Sequence, residues 1–492
     1  MNTIAARKKS SLRDTAWIVA CVLAAVILLV GVATSGKLSF YLDALDRSHL
    51  LYAAPLAAVA GLFAVLLYPR LPLFLMAFLL PFNFVGGYWG SNLTILIAKM
   101  AVNVLAAAAL ISTLLAPPAD RAWITGTRLG RAVLVWLFAI AIGVTVGLFG
   151  ADNREFWVRE SGWMLLYTAA LPFGTLITTR RAMNRVLLAS CAGVAVLQVY
   201  AFWTLATGTR YARGDAWDAG VTFFRAPYSV VSLFAMYLAA AAFLERASAK
   251  VLRRGTAVAL IVAIAALGGG LLASMVRSLW ISGALGFAVV VWLAPWDTRS
   301  IKAALALVMG VILAVGVVAA IDRLSPASTG NWTASAISFL MDLGSKDSAS
   351  RITREIEWSH AIDVWEDSPL VGQGFGYSFP QNNFGKVPVE VIPEPFYMHN
   401  SYLNILAKVG VFGLAAFLYV LWRIATTAWR RLRDPVSDIH DRIIAVALLS
   451  GLASVALLTS TMPVLTAGDP AAYLGMLAGL AAALRRSAGT CA

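Results

Sequence analysis

The sequence predicts an all-α polytopic membrane protein with twelve to fourteen transmembrane helices and a helical cap on its outer face. Three observations carry that expectation. The 492 residues are 60% hydrophobic and only 13% charged, where a soluble domain carries about 25%, and the mean hydropathy is +0.78. Apolar runs of roughly 18 to 23 residues recur from end to end, each long enough to cross a hydrocarbon layer of about 30 Å. Basic residues fall in alternate connections between those runs. These features exclude a soluble enzyme, a disordered chain, a coiled coil and an outer-membrane barrel, whose strands alternate in polarity. Cys21, Cys191 and Cys491 are odd in number and scattered, a poor basis for a disulfide framework or a metal cluster.

Taken in order, the candidate spans are 15–34, 49–68, 71–87, 93–115, 130–150, 161–178, 185–206, 226–245, 256–275, 278–295, 302–321, 402–422, 443–461 and 467–484. The first has too long an apolar core for a signal peptide and reads as a retained span. The third is short and holds Pro81 before Gly86-Gly87, which predicts a bent or re-entrant segment. The sixth is also weak. With the basic N-terminus in the cytoplasm, alternation places Arg70, Arg121, Arg128, Arg131, Arg180, Arg181 and Arg185 inside. It does the same for Arg246, Lys250, Arg253, Arg254, Arg299, Lys302, Arg423, Arg430, Arg431, Arg433, Arg442, Arg485 and Arg486. Most of the 39 Lys and Arg are thereby accounted for, so the net charge of +14 is explained by topology without invoking nucleic acid. Both termini are expected in the cytoplasm.

The chain divides into a bundle over 1–321, a polar segment over 322–401 and C-terminal spans with a tail over 402–492. Eleven crossings put 322–401 outside. A connection of that length is commonly functional, and two stretches within it are helix-like. Residues 333–343 are rich in apolar side chains. Residues 351–366 place Ile352, Ile356, Ala361, Val364 and Trp365 among charges in a roughly helical pattern.

Few residues are suited to chemistry, and they fall on the same outer face. His399 precedes Asn400 and Ser401, either of which is a suitable N-cap for the next span. A helix mouth attracts anions, and an imidazole beside an anion suits a general base. The plainer reading is a polar residue at the membrane boundary. Arg277 lies in a very short outer turn after Gly268-Gly269-Gly270, where small residues allow a helix or a ligand to come close. It either snorkels to the interface or serves a function that offsets its outward placement. Arg351 and Arg354, three apart on one helix face, form either a diphosphate clamp or ion pairs with Glu355, Glu357 or Glu394. Arg213 and Arg225, in the outer connection before the eighth span, offer further anion contacts or a solvated hairpin. The run Gly372-Gln373-Gly374-Phe375-Gly376 follows no Rossmann strand and reads as a tight turn. Asn331-Trp332-Thr333 is a sequon, meaningful only in a eukaryotic secretory route. Neither HExxH, CxxC nor a Walker sequence occurs. The obvious intramembrane charges are Lys99, Lys408 and Asp469, a thin set for an ion-coupled transporter.

The pattern Arg351…Trp358…Ala361…Pro369-Leu370-Val371-Gly372-Gln373-Gly374-Phe375-Gly376, followed by His399-Asn400-Ser401-Tyr402-Leu403 and Gly410-Val411-Phe412-Gly413-Leu414, resembles the O-antigen ligase and polymerase family. So does the Ser274…Arg277-Ser278 corner. The motifs cover about 220–425. The resemblance implies a GT-C-like bacterial inner-membrane glycosyltransferase with a large periplasmic loop, using neither nucleotide nor metal. It implies an undecaprenyl-diphosphate-linked glycan as donor, with lipid A–core or a second lipid-linked glycan as acceptor. It further implies that His399 corresponds to the essential loop histidine and that Arg277 and Arg351 hold the lipid diphosphate. Arg213 or Arg225 would be additional contacts, although the pattern before the eighth span is poorly matched. A polyprenyl-linked sugar transporter or flippase is the rival of another class.

Overall fold

The computed structural model describes residues 68–83, 93–151, 154–207, 229–274, 276–295, 349–378, 398–461 and 468–487. Its elements are α1 (Leu71–Asn83), α2 (Leu93–Leu115), α3 (Pro118–Gly126), α4 (Arg128–Gly150), α5 (Arg154–Leu165), a 3₁₀ turn (Leu166–Ala169) and α6 (Ala170–Leu176). There follow α7 (Arg180–Thr207), α8 (Val230–Ser248), α9 (Arg254–Ala273), α10 (Arg277–Leu293), α11 (Ala349–Asp367), α12 (Ser401–Arg433), α13 (Ile439–Thr459) and α14 (Gly468–Ser487). No strand occurs among the described residues. Six of these helices (α4, α7, α8, α9, α12 and α13) are long and apolar enough to cross a membrane, or seven if the bent pair α2–α3 counts as one. The chain is an all-α polytopic membrane protein.

The expected spans and the helices agree in order, with instructive departures. The third expected span is the short α1, 13 residues with Pro81 inside. The fourth meets Pro117-Pro118 and turns by 103° into α3. A proline removes a main-chain donor and restricts the residue before it, so the helix cannot run on. The sixth is broken into α5, the 3₁₀ turn and α6. The first, second and eleventh expected spans lie outside the described residues.

α14 is enclosed on every side, with Ala471 through Leu484 buried. An apolar helix without a polar face belongs inside. Its Gly475 and Gly479 face the broken segment, where an added Cβ would stand 2.8 Å from Ala170 N and 2.2 Å from Phe173 Cβ. Small residues four apart allow this close approach, and the broken span packs against the last helix through it.

One end of the bundle is held by ion pairs. Glu245 at the end of α8 receives two hydrogen bonds from Arg442 at the start of α13, at 3.0 and 3.1 Å. Asp441, fully buried, accepts from Arg431 of α12 at 3.1 Å and from Arg180 of α7 at 3.4 Å. Asp438 caps α13 through the Asp441 N–H at 2.9 Å and pairs with Arg180. Arg431 also binds Asp434 at 2.8 Å. Asp438, His440 and Asp441 have the spacing of a metal-ligand cluster, yet both carboxylates are committed to guanidinium groups. The opposite end carries the start of α12.

Candidate functional site

The candidate site begins at α12's first turn. Asn400 is its N-cap: Oδ1 accepts from the Tyr402 and Leu403 N–H groups at 3.0 and 3.2 Å. This resolves the choice between Asn400 and Ser401, and it leaves His399 immediately outside the helix with its side chain 39% exposed.

α11 lies against that turn. Its inward face carries Ala361 and Val364, which pack with Met398 and Ala407 and against Tyr377 and Leu403. Glu357 and His360 are buried on the same helix, whereas Ile356 and Trp365 are only half-buried. The helical pattern expected there holds for Ala361 and Val364, and an acid and a histidine join them on the buried face. Glu357 meets His399 twice. Its Oε2 accepts the His399 main-chain N–H at 2.8 Å, and its oxygens lie 2.9 and 3.1 Å from His399 Nδ1.

Nine residues past His399's helix mouth, α12 breaks at Gly410, whose φ of 70° and ψ of −172° are non-helical. Such a break frees main-chain groups that must find partners elsewhere. The turn 369–376 supplies all four. Gln373 N and Gly374 N donate to Ala407 O and Lys408 O, both at 2.9 Å, while Val411 N and Phe412 N donate to Pro369 O and Leu370 O at 2.9 and 3.3 Å. Phe375 is buried and enters a slot in α4. Its N–H donates to Gly143 O at 3.0 Å, and its carbonyl oxygen stands 2.0 Å from where a Cβ on Gly147 would be. The glycine-rich run is a tight turn, as the sequence suggests, and it packs among the bundle helices.

Beneath the turn lies a fully buried ion pair. Lys408 Nζ donates to both oxygens of Glu160 at 2.7 and 2.6 Å, and Glu160 Oε2 also accepts the Gly376 N–H at 2.8 Å. The intramembrane lysine picked out in the sequence is thus the joint between α5, α12 and the turn.

The remaining expected site residues divide into three groups. Arg277 opens α10. The other end of α10, at Trp292 and Leu293, lies beside Trp429 and Arg433 at the ion-paired end, so the main chain of Arg277 stands at the His399 end. Arg351 and Arg354 lie in the first two turns of α11, with Arg354 half-buried one turn before Glu357. Arg213 and Arg225 lie outside the described residues, as does Glu394. Of the three glycines before Arg277, Gly270 admits Gln198 of α7, whose Oε1 would stand 1.9 Å from an added Cβ; a helix makes that approach.

Sequence reasoning missed two groups, Glu357 as the partner of His399 and Glu160 as the partner of Lys408. A signal for the first exists: Glu357, Ala361 and Val364 follow the i, i+4, i+7 spacing of a single helix face.

Fold and site together define an integral membrane protein with a carboxylate-bound histidine at a helix mouth, at the end of the bundle opposite the ion pairs. Residues 260–418, from α9 to the middle of α12, match the family model described as O-antigen ligase. The matched stretch contains Arg277, Arg351, Arg354, Glu357 and His399. No curated protein matches the chain.

Proposed function

We propose that this protein transfers a glycan from undecaprenyl diphosphate to a sugar hydroxyl of lipid A–core, with His399 as general base. The observation that carries the reading is the carboxylate-bound imidazole at the N-terminus of α12, inside a domain of the O-antigen ligase type. Charge supports the orientation. Among the described residues, Arg70, Arg128, Arg180, Arg246, Arg254, Arg430, Arg433 and Arg485 sit at the helix ends remote from His399, and the positive-inside rule puts that end in the cytoplasm. His399 would then face the periplasm of a bacterial inner membrane, where lipid-linked glycans are consumed.

In the proposed reaction the acceptor hydroxyl gives its proton to the imidazole as its oxygen attacks the anomeric carbon. The bond from that carbon to the diphosphate oxygen breaks, and the electron pair leaves with the lipid diphosphate. Fixed guanidinium groups stabilise that developing charge, a role assigned to Arg277 and Arg351, with Arg354 and Arg213 or Arg225 as further contacts. A single displacement inverts the anomeric carbon.

The test is transfer by purified protein with undecaprenyl-diphosphate glycan and EDTA, offering lipid A–core and a second lipid-linked repeat in parallel. Product on lipid A–core alone supports the ligase. Ladders from lipid-linked repeats alone replace it with a polymerase, and no transfer to either would favour the transporter. His399→Ala is expected to lower transfer about 10²- to 10⁴-fold, the usual contribution of a positioned base; full activity would remove His399 from the mechanism.

A further inference from the structure

We infer that Glu357 is the positioning residue of His399, holding the imidazole in the tautomer with Nδ1 protonated and Nε2 as the basic nitrogen. The inference rests on the proposed role of His399 and adds a residue whose function is carried by geometry alone.

An ionised carboxylate only accepts hydrogen bonds, so a ring nitrogen 2.9 Å from Glu357 Oε1 must carry the proton. The lone pair then lies on Nε2, across the ring. Glu357 Oε2 takes the main-chain N–H of the same histidine at 2.8 Å. One carboxylate therefore clamps both the ring and the backbone it hangs from, which fixes the ring's rotation as well as its tautomer.

Burial sharpens the argument. The Glu357 side chain is 6% exposed, on the helix face that packs through Ala361 and Val364 against Met398 and Ala407. A carboxylate in such a seam is costly unless its oxygens are satisfied, and His399 satisfies both. Were the contact only a tie between α11 and α12, the bond to the main-chain N–H would suffice. The ring bond is an addition that a mere tie does not need.

During transfer the balance is simple. The acceptor proton moves to Nε2, the ring becomes an imidazolium with Nδ1–H still on Glu357, and the carboxylate stays ionised opposite the new charge. The proton later leaves Nε2 for water.

Two measurements on the purified full-length protein test this. The first reads ¹⁵N shifts of the four histidines, with the His399 signal identified by its loss in His399→Gln. Wild type is expected to show Nδ1 protonated and Nε2 bare, and Glu357→Gln and Glu357→Ala a mixture of tautomers; an unchanged tautomer in both variants overturns the inference. The second uses the lipid-diphosphate donor that supports transfer in wild type. Glu357→Gln is expected to lower kcat roughly 10- to 100-fold, the scale of an orienting partner, with donor KM within about twofold, and Glu357→Asp to recover part of the loss. The near-isosteric Glu357→Gln serves if Glu357→Ala does not fold. Wild-type kcat in Glu357→Gln alongside an inactive His399→Ala overturns the positioning role alone. Full activity in His399→Ala overturns the base, and the role of Glu357 in catalysis with it.

Discussion

A lysine in place of Arg277 would keep the charge and lose the fork. A guanidinium binds two phosphate oxygens at once in a fixed plane, while an ammonium is a single point of charge on a flexible stem. Arg277→Lys is therefore expected to lower transfer about 10-fold or more, the loss of roughly one charge-assisted hydrogen bond of about 1.5–3 kcal/mol. Steady-state assay against a saturating acceptor checks it, and wild-type kcat/KM would take Arg277 away from the diphosphate. At this scale the sequence speaks clearly wherever the cause is local. Asn400 caps the helix because its own side chain reaches the N–H groups of Tyr402 and Leu403, two and three residues on, and the composition of a few residues suffices to see it. Glu357 is harder to read for the opposite reason, and only its spacing with Ala361 and Val364 marks it. Its partner lies 42 residues away, and in a helix rich in charge an acid looks like part of the solvated face. Glu160 is harder still, since Lys408 is 248 positions distant.

At the scale of elements, the break in α12 and the turn that fills it form one unit. Gly374 has a φ of +86°, and a Cβ there would lie 2.2 Å from Gly147 N of α4. Both the left-handed backbone, which costs about 1–2 kcal/mol for a residue with a side chain, and the collision fall on main-chain atoms that cannot swing away. Gly374→Ala is expected to lower the unfolding temperature in detergent and to reduce transfer, because the joint below His399 would shift. An unchanged melting curve would show that the turn yields freely. The ion pair beneath it behaves differently. Lys408→Met leaves Glu160 charged and buried, a change that typically costs about 3–5 kcal/mol. The double change Lys408→Met with Glu160→Gln is expected to cost less than Lys408→Met alone, read from thermal unfolding of the two variants. A double variant as unstable as Lys408→Met, or more so, would mean the two groups act separately. The sequence shows a turn over 372–376 and an apolar run over 402–422, and both are right as far as they go. The break itself is hidden because Gly410 through Leu414 is apolar enough to pass for uninterrupted helix; only the arrival of four main-chain partners from 369–374 makes it affordable.

For the whole molecule, the ends of the bundle are built on different principles. The basic end is tied by carboxylates shared between helices. Asp441 joins α7, α12 and α13 through Arg180 and Arg431, and Glu245 joins α8 to α13. Asp438 lies outside the spans there. Its burial opposes ionisation, but the Asp441 N–H and the Arg180 guanidinium outweigh it and hold the carboxyl below its ordinary value of 3.8. A depressed carboxyl stabilises the fold fully above its unfolded value and loses that contribution as pH falls through the folded one. Thermal stability is thus expected to hold at mildly acid pH and to decline below about pH 4; Asp438→Asn should flatten that decline, and an unaltered profile would remove Asp438 from the tie. The order of helices and the gathering of basic residues at one end are legible from apolar length and charge, because a bilayer imposes both. The complete enclosure of α14 is not, since its Ala- and Gly-rich sequence reads as one more span. The irregular course of 154–176 packs along it together with α12, α13 and α1, an arrangement that follows from contacts rather than composition.

The break at Gly410 also determines what aims His399. The nine residues from Ser401 to Val409 are a short mount, and their angle to the rest of α12 is set by hydrogen bonds to Pro369, Leu370, Gln373 and Gly374. These contacts run between main-chain atoms, so the angle of the mount depends on the number of residues in the turn as well as on their identity. Deleting one residue from 369–376 would leave every reactive side chain in the sequence and still point the imidazole elsewhere.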